Sequence, residues 1–315
     1  MPSFATDVKN ELARLFYTKP CCRRAELAGL LRMGAALTLG AKRSLGLNFN
    51  TDNAAVARKV LVLIKEIEGV STEVTVRRSL RLKKNNSYHI KVVPSPKVGE
   101  LLEELGLMPG TGPTPLKMGP LLRRNCCRWA YLRGVFLGGG SVNRPEAEYH
   151  LELVMGNYQF AELVAAVFKR NEIEARLTDR KDTYVIYMKE CDSIIDFLSG
   201  LEADKAVEAF EVARNLKEVR NQVNRLVNCE TANLQKTANA AARQVLAIQK
   251  LADTGRLEKL KPALKMTAEA RLGSPDAALS ELAAELGTTR STVAHRLKRL
   301  EFLAEELKEN GEYRV

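Results

Sequence analysis

The chain has 315 residues, and at roughly 100–200 residues per domain this length predicts two or three domains. Hydrophobic residues make up 45% of the chain, which is enough for a full core and excludes a wholly disordered protein. Lysine and arginine number 49 against 38 acids, and the resulting net charge of +11 favours a polyanionic partner, most often a nucleic acid.

Charge distribution and cysteine content predict a protein of the cytoplasm. No stretch of 18 residues lacks a charge, so we expect no transmembrane helix and no membrane partner. Residues 4–16 show an amphipathic pattern rather than that of a signal peptide. In the absence of an export signal, the six cysteines indicate reduced thiols rather than a disulfide framework.

An internal repeat occupies the first two thirds of the chain. Residues 21–35 align without gaps with residues 126–140, and seven of the fifteen positions are identical. The similarity continues downstream, and each copy predicts a helix, two strands, a helix, two strands and a last helix, at 98–105 and 194–201. Two copies are too few for a solenoid, so we expect a pair of α+β modules related by pseudo-two-fold symmetry.

Proline and glycine from Pro109 onward predict a linker between the two copies. Beyond the second copy, residues 205–250 contain neither residue type and predict a long helix or a helix pair. Its Asn221, Asn224 and Asn228 fit either phosphate contacts or a polar packing face. The expected division is an N-terminal helix and first repeat (1–108), a linker (109–123), a second repeat (124–204), a helical connector (205–260) and a C-terminal domain (261–315).

Residues 279–300 have the layout of a helix-turn-helix. Ala283 is small where two helices cross, and Gly287 supplies the left-handed conformation that ends the first helix. Thr289 is suited to cap the second helix, and Val293 to pack back onto the first. With the preceding helix 262–271 the unit has three helices, and we place the motif at about Pro275 to Lys308.

The second helix of this motif has a basic outer face. Residues 287–300 contain four basic side chains and no acid, as a helix in a major groove requires. By position, Ser291, Thr292 and His295 are candidates to read base edges, while the phosphate-neutralising candidates are Arg290, Arg296, Lys298 and Arg299. The alternative is an amphipathic helical hairpin whose basic face is merely solvated.

The helices at 27–35 and 132–140 resemble the two LAGLIDADG helices of homing endonucleases. In that family small residues pack the helices together, and an acid at the penultimate motif position holds the divalent metal. Here those positions are Gly34 and Gly139, which offer no carboxylate. We therefore expect no catalytic residues, no metal, no cofactor and no enzyme activity.

Over its whole length the chain resembles the WhiA family of bacterial regulators. The resemblance rests on the motifs at 21–29, 136–142, 220–225, 228–233 and 295–297. It implies an α+β fold, a duplicated LAGLIDADG-like αββαββα domain followed by an all-α helix-turn-helix domain. It also implies a nucleoid-associated transcriptional regulator that binds double-stranded DNA, linked to cell division, chromosome segregation and, in spore formers, sporulation. Other transcription or cell-division proteins are further expected partners, and no small-molecule substrate is evident.

Two alternatives to a regulator remain open at this stage. One is a nucleoid or division-associated protein that regulates few genes, and the other is a residual LAGLIDADG endonuclease.

Two further groups of residues have competing interpretations. A hairpin in the first repeat carries Arg77, Arg78, Arg81, Lys83 and Lys84, which form either a second DNA surface or a solvated edge that discourages strand pairing. The pairs Cys21-Cys22 and Cys126-Cys127 precede the two central helices at equivalent positions. One interpretation is metal binding, because the symmetry of the repeat could bring the four thiols near one another. Their spacing is not of the Cys-x-x-Cys type and adjacent cysteines do not readily chelate one ion together, so buried and unreactive thiols are the preferred interpretation.

Overall fold

The computed structural model describes residues 3–78, 86–108 and 119–309. The chain divides into two compact units, Met1–Lys217 and Glu218–Val315. Within the described ranges, no helix is both long enough and apolar enough to cross a membrane.

The first unit contains the two predicted copies of one α+β module. Helix α1 (Phe4–Leu12) precedes them. The first copy consists of α2 (Pro20–Gly34), β1 (Ala35–Leu39), β2 (Leu45–Thr51), α3 (Ala54–Lys65), β3 (Thr72–Arg78), β4 (Asn86–Val92) and α4 (Pro96–Glu104). The second consists of α5 (Asn125–Gly139), β5 (Gly140–Val142), β6 (Leu151–Met155), α6 (Tyr158–Arg170), β7 (Arg176–Arg180), β8 (Thr183–Met188) and α7 (Cys191–Gly200). The predicted element order and fold class are confirmed.

Each copy folds its four strands into an antiparallel sheet with one covered face. The strand orders are β1-β2-β4-β3 and β5-β6-β8-β7, so the two sheets have equivalent connections. Phe49 pairs with Ile90 in the first sheet and Leu153 with Ile186 in the second, and all four side chains are buried. Because side chains alternate along a strand, the neighbouring positions form a second, more polar face on each sheet.

The central helices α2 and α5 pack through two glycines at equivalent positions of the repeat. A Cβ atom on Gly29 would lie 2.3 Å from the carbonyl oxygen of Tyr131, and one on Gly134 would lie 2.1 Å from that of Glu26. Both distances are far below van der Waals contact. Only glycine at these two positions allows the helix backbones to approach so closely.

A buried ion pair joins α2 to α3. The Lys59 ammonium lies 2.7 Å from a carboxylate oxygen of Glu26, and both side chains are inaccessible to solvent. Lys59 also donates to the carbonyl of Leu12, the last residue of α1, and to that of Leu15 just beyond the helix. Burial raises the pKa of Glu26 and lowers that of Lys59. One ammonium group therefore links three segments of the first unit.

A single long helix, α8 (Asp204–Asp253), leads from the first unit into the second. The apolar residues that predicted it, Leu216, Val219, Val223 and Leu226, are exposed. The three asparagines at 221, 224 and 228 are exposed as well, so no other described part of the chain packs on them. The helix ends just before Gly255, whose φ of +65° is unfavourable for other residues.

Three shorter helices follow in the second unit: α9 (Pro262–Gly273), α10 (Leu279–Glu285) and α11 (Arg290–Glu309). They share one hydrophobic core with the C-terminal end of α8. Ile248 of α8, Leu282 of α10, and Val293, Leu297 and Leu300 of α11 are all fully buried in it. The unit is therefore the all-α helix-turn-helix bundle that the sequence predicts.

Candidate nucleic-acid interface

The turn between α10 and α11 has the backbone and capping geometry of a helix-turn-helix. Gly287 adopts φ +58°, the left-handed conformation that ends α10. The Thr289 hydroxyl accepts a hydrogen bond from the Thr292 backbone N–H at 3.2 Å and so caps α11. Both local predictions for the turn are confirmed.

Burial of one side of α11 determines which side chains face solvent. Val293, Leu297 and Leu300 recur every three or four residues and are completely buried. The opposite side presents five of the seven residues that the sequence assigns to DNA. These exposed residues are Arg290, Ser291, His295, Lys298 and Arg299. The guanidinium of Arg299 also lies over the ring of Phe302, 5.0 Å from its centroid.

The remaining two candidates, Thr292 and Arg296, are half-buried and have partners inside the unit. The Thr292 hydroxyl lies 2.9 Å from that of Thr289, within the cap of α11. Arg296 donates to the Thr267 hydroxyl of α9 at 3.5 Å. Both side chains therefore lie at the margin of the exposed face rather than at its centre.

Arg271, which the sequence analysis did not select, supports the approach to α10. Its side chain is 2% exposed, and one terminal nitrogen donates to the carbonyls of Pro275 (3.2 Å) and Ala277 (2.7 Å). Burial lowers the pKa of this guanidinium. A single arginine thus holds the loop between α9 and α10. No local pattern distinguishes it from an ordinary basic residue at the end of a helix.

The predicted second basic surface falls only partly within the described residues. Arg77 and Arg78 end the edge strand β3 and are exposed, whereas Arg81, Lys83 and Lys84 lie outside the described ranges. Arg77 pairs with Ser87, and its side chain belongs to the polar face of the first sheet. Arg78, the next residue, belongs to the opposite face because side chains alternate.

The polar faces of the two sheets carry other groups suited to phosphate. In the first sheet, Asn50 and His89 are cross-strand neighbours, with the amide oxygen 2.6 Å from the imidazole Nδ1. In the second sheet, the exposed β7 residues Arg176, Thr178 and Arg180 share one face. Sequence reasoning missed the β7 arginines, although their period-two spacing was a usable signal.

At Gly34 and Gly139, the two motif positions where an acid would hold a metal, an added side chain would collide with a neighbouring side chain. A Cβ atom on Gly34 would lie 2.6 Å from the ring of Phe49, and one on Gly139 would lie 2.1 Å from the Met33 methyl group. An acid at position 34 would require the aromatic ring to move. Within residues 3–78, 86–108 and 119–309, the one close group of three or more candidate metal ligands consists of thiols, Cys21, Cys22 and Cys127.

Comparisons with known proteins match this architecture along the chain. The WhiA N-terminal LAGLIDADG-like domain matches residues 20–108, the WhiA LAGLIDADG-like domain residues 128–220, and the WhiA C-terminal HTH domain residues 223–304. In solved structures, full-length DUF199/WhiA from Thermatoga maritima is similar with a TM-score of 0.60 and 27% identity, over 97% of this chain and 99% of that one.

Curated relatives are similar over their whole lengths. The probable cell division protein WhiA of Desulforamulus reducens is 48% identical over 316 residues, which is 99% of this chain and 98% of the relative. That of Brevibacillus brevis is 41% identical over 318 residues, with 98% of each chain covered. Three family models in series and full-length relatives at this identity establish that the chain belongs to the WhiA family.

Proposed function

We propose that this protein is a non-enzymatic, sequence-specific DNA-binding protein that regulates transcription. The observation that carries the proposal is the exposed side of α11, where basic and small polar residues lie opposite a fully buried apolar row. A helix of this kind, anchored through one side and with exposed side chains on the other, fits a DNA major groove.

The residues divide into two roles by chemistry and position. Ser291 and His295, near the N-terminal end of α11, are the primary candidates for base edges, with Thr292 beside them. Arg290, Lys298 and Arg299 neutralise phosphates around this group. Arg296, which donates to Thr267, contacts phosphate only if it leaves that hydroxyl.

The biological setting that we propose follows from the family. Relatives of this chain are named probable cell division proteins. We extend this role to the control of genes for division and chromosome segregation and, in lineages that form spores, for sporulation. Other transcription or division proteins are the expected protein partners, and the nucleoid is the expected location.

The test is a comparison of point variants in DNA binding. We expect Lys298→Ala and Arg299→Ala each to reduce affinity for genomic target DNA and to lower the slope of log affinity against log salt by about 0.9. The matched control is Arg58→Ala, because Arg58 is an exposed arginine in the middle of α3, in the other unit. Fluorescence anisotropy across a salt series measures both quantities.

Genome-wide immunoprecipitation separates the regulator from a general nucleoid protein. We expect sharp peaks with a shared sequence motif that His295→Ala weakens or alters. Broad coverage that is unchanged in this variant would favour a nucleoid or division-associated protein with little gene regulation. Plasmid nicking with Mg²⁺ would favour a residual endonuclease, which Gly34 and Gly139 make chemically implausible for want of a carboxylate.

A second DNA-contacting surface on the sheets is a separate proposal. Arg77 of the first sheet and Arg176 and Arg180 of the second lie on the polar faces that the helices leave uncovered. Because backbone contacts are independent of sequence, Arg176→Ala with Arg180→Ala should weaken binding to all duplexes by a similar factor. A solvated sheet face predicts no change, and Arg58→Ala is again the control.

A further inference from the structure

We propose that the four cysteines at the N-terminal ends of α2 and α5 form a binding site for a zinc ion. Cys21 and Cys22 come from the first copy of the repeat, and Cys126 and Cys127 from the second. The site would bridge the two copies at their shared pair of central helices. It lies entirely within the first unit and is independent of the DNA-binding helix.

The sulfur positions come close to those of a zinc–thiolate centre. The sulfurs of Cys21, Cys22 and Cys127 all lie within 4.8 Å of one another. Four sulfurs that bind zinc tetrahedrally at about 2.3 Å lie about 3.8 Å apart, so each pair among these three needs to close by at most about 1 Å. Side-chain rotation of this size leaves the helix backbones in place.

The fourth ligand in the proposed site is Cys126, the neighbour of Cys127 on α5. Its thiol stands outside the compact group of three, so its side chain must rotate towards the others to complete the site. The two helices thus contribute two thiols each. Adjacent cysteines on one helix diverge and are poor chelators on their own, but the second helix provides the opposing pair.

Positive charge at the two helix ends counters the burial that raises the pKa values of the Cys22 and Cys127 thiols. In each helix the cysteines are the second and third residues, where backbone N–H groups and the helix dipole stabilise negative charge. Neither helix has a side-chain cap at this end, because the capping positions are Lys19 and Arg124. These positive charges offset the excess negative charge of a zinc ion with four thiolates.

The exposure of the four cysteines provides a path for an ion from solvent into the cluster. Cys22 and Cys127 are buried, whereas Cys21 and Cys126 are half-exposed. An ion therefore reaches the cluster from solvent through the outer pair and is held by the inner pair. By contrast, Cys229 is exposed on α8 and belongs to no close thiol group among the described residues.

The direct test is metal binding by the full-length chain, purified under reducing conditions. We expect about one zinc per chain, released by a thiol-modifying reagent, and the spectrum of tetrahedral cobalt with sulfur-to-metal charge transfer when Co²⁺ replaces zinc. Cys21→Ser and Cys126→Ser change the half-exposed thiols, and each should weaken zinc binding by tenfold or more. Cys229→Ser is the matched control and should bind like the unmodified chain.

Thermal unfolding gives a second readout that does not depend on the variants. Zinc that binds only the folded state should raise the melting temperature of the first unit in proportion to the logarithm of its concentration, and should leave the second unit unchanged. The proposal is overturned if the reduced, folded chain takes up no ion and shows no cobalt–thiolate spectrum. It is also overturned if Cys21→Ser and Cys126→Ser both fold, by circular dichroism, and bind zinc as the unmodified chain does.

Discussion

The sharpest stability prediction concerns the buried pair of Lys59 and Glu26. Replacing Lys59 by methionine keeps the length of the side chain but removes the ammonium. Glu26 then loses its ion-pair partner at 2.7 Å, and the carbonyls of Leu12 and Leu15 lose a donor. Because both side chains are fully buried, water does not replace the missing group.

The size of the effect follows from this burial. Removing one partner of a buried ion pair costs about 3–5 kcal/mol of unfolding free energy, because the remaining charge is left without a partner. For a unit of this size, about 1 kcal/mol lowers the melting temperature by about 2–4 °C. We therefore expect Lys59→Met to lower the melting temperature of the first unit by about 6–20 °C.

The loss of unfolding free energy in Lys59→Met should increase with pH. Burial raises the pKa of Glu26 above its unfolded value of about 4.3. A raised carboxyl pKa means that stability is fully present below the unfolded value and is lost as the pH rises through the folded value. The penalty of Lys59→Met should therefore be small in acid, where Glu26 is protonated in both states, and should grow towards neutral pH.

Differential scanning calorimetry of the full-length chain is the appropriate assay, because the two units need not unfold together. Lys65→Met is the matched control, since Lys65 is an exposed lysine on the same helix. Adding Glu26→Gln to Lys59→Met should restore part of the lost stability by removing the isolated charge. An equal and small effect of Lys59→Met and Lys65→Met at neutral pH would refute the reasoning.

Two glycine substitutions provide further tests. Gly134→Ala places a Cβ atom 2.1 Å from the Glu26 carbonyl oxygen and should cost about 1–3 kcal/mol in the first unit. Gly99→Ala is its control, since a Cβ atom there meets nothing within 4 Å, and calorimetry should show no loss of stability. Gly287→Ala forces alanine into φ +58° and should cost about 1–2 kcal/mol in the second unit, measured in the same way. Gly273→Ala is the second control, because a Cβ atom there also meets nothing within 4 Å. An equal loss of stability in Gly287→Ala and Gly273→Ala would contradict the role of the turn.

The first unit has the architecture of a LAGLIDADG domain without the carboxylates that such an enzyme needs. Gly29 and Gly134 allow the central helices to pack closely. At Gly34 and Gly139, the side chains of Phe49 and Met33 fill the space that a Cβ atom would need. The helix packing of the LAGLIDADG fold is thus present, and neighbouring side chains fill the room that an acid at either position would need.

Local patterns were sufficient for the repeat and for the helix-turn-helix. The copies are recognisable because packing at a helix crossing requires small residues at set positions, and Gly29 and Gly134 occupy equivalent ones. The turn is recognisable because Gly287 and Thr289 act within a few residues of their own positions. Such features depend on periodicity and backbone conformation, which neighbouring residues determine.

What the sequence determined by itself was therefore the order of the elements, the duplication, the basic face of α11 and the absence of carboxylates at Gly34 and Gly139. Tertiary structure alone decided the partners of long side chains. Lys59 pairs with Glu26 of a different helix, Arg296 donates to Thr267 of α9, and the Cys127 thiol lies within 4.8 Å of those of Cys21 and Cys22. Each of these contacts joins residues far apart in the chain, so it depends on how the helices pack, and no short stretch of sequence encodes that packing.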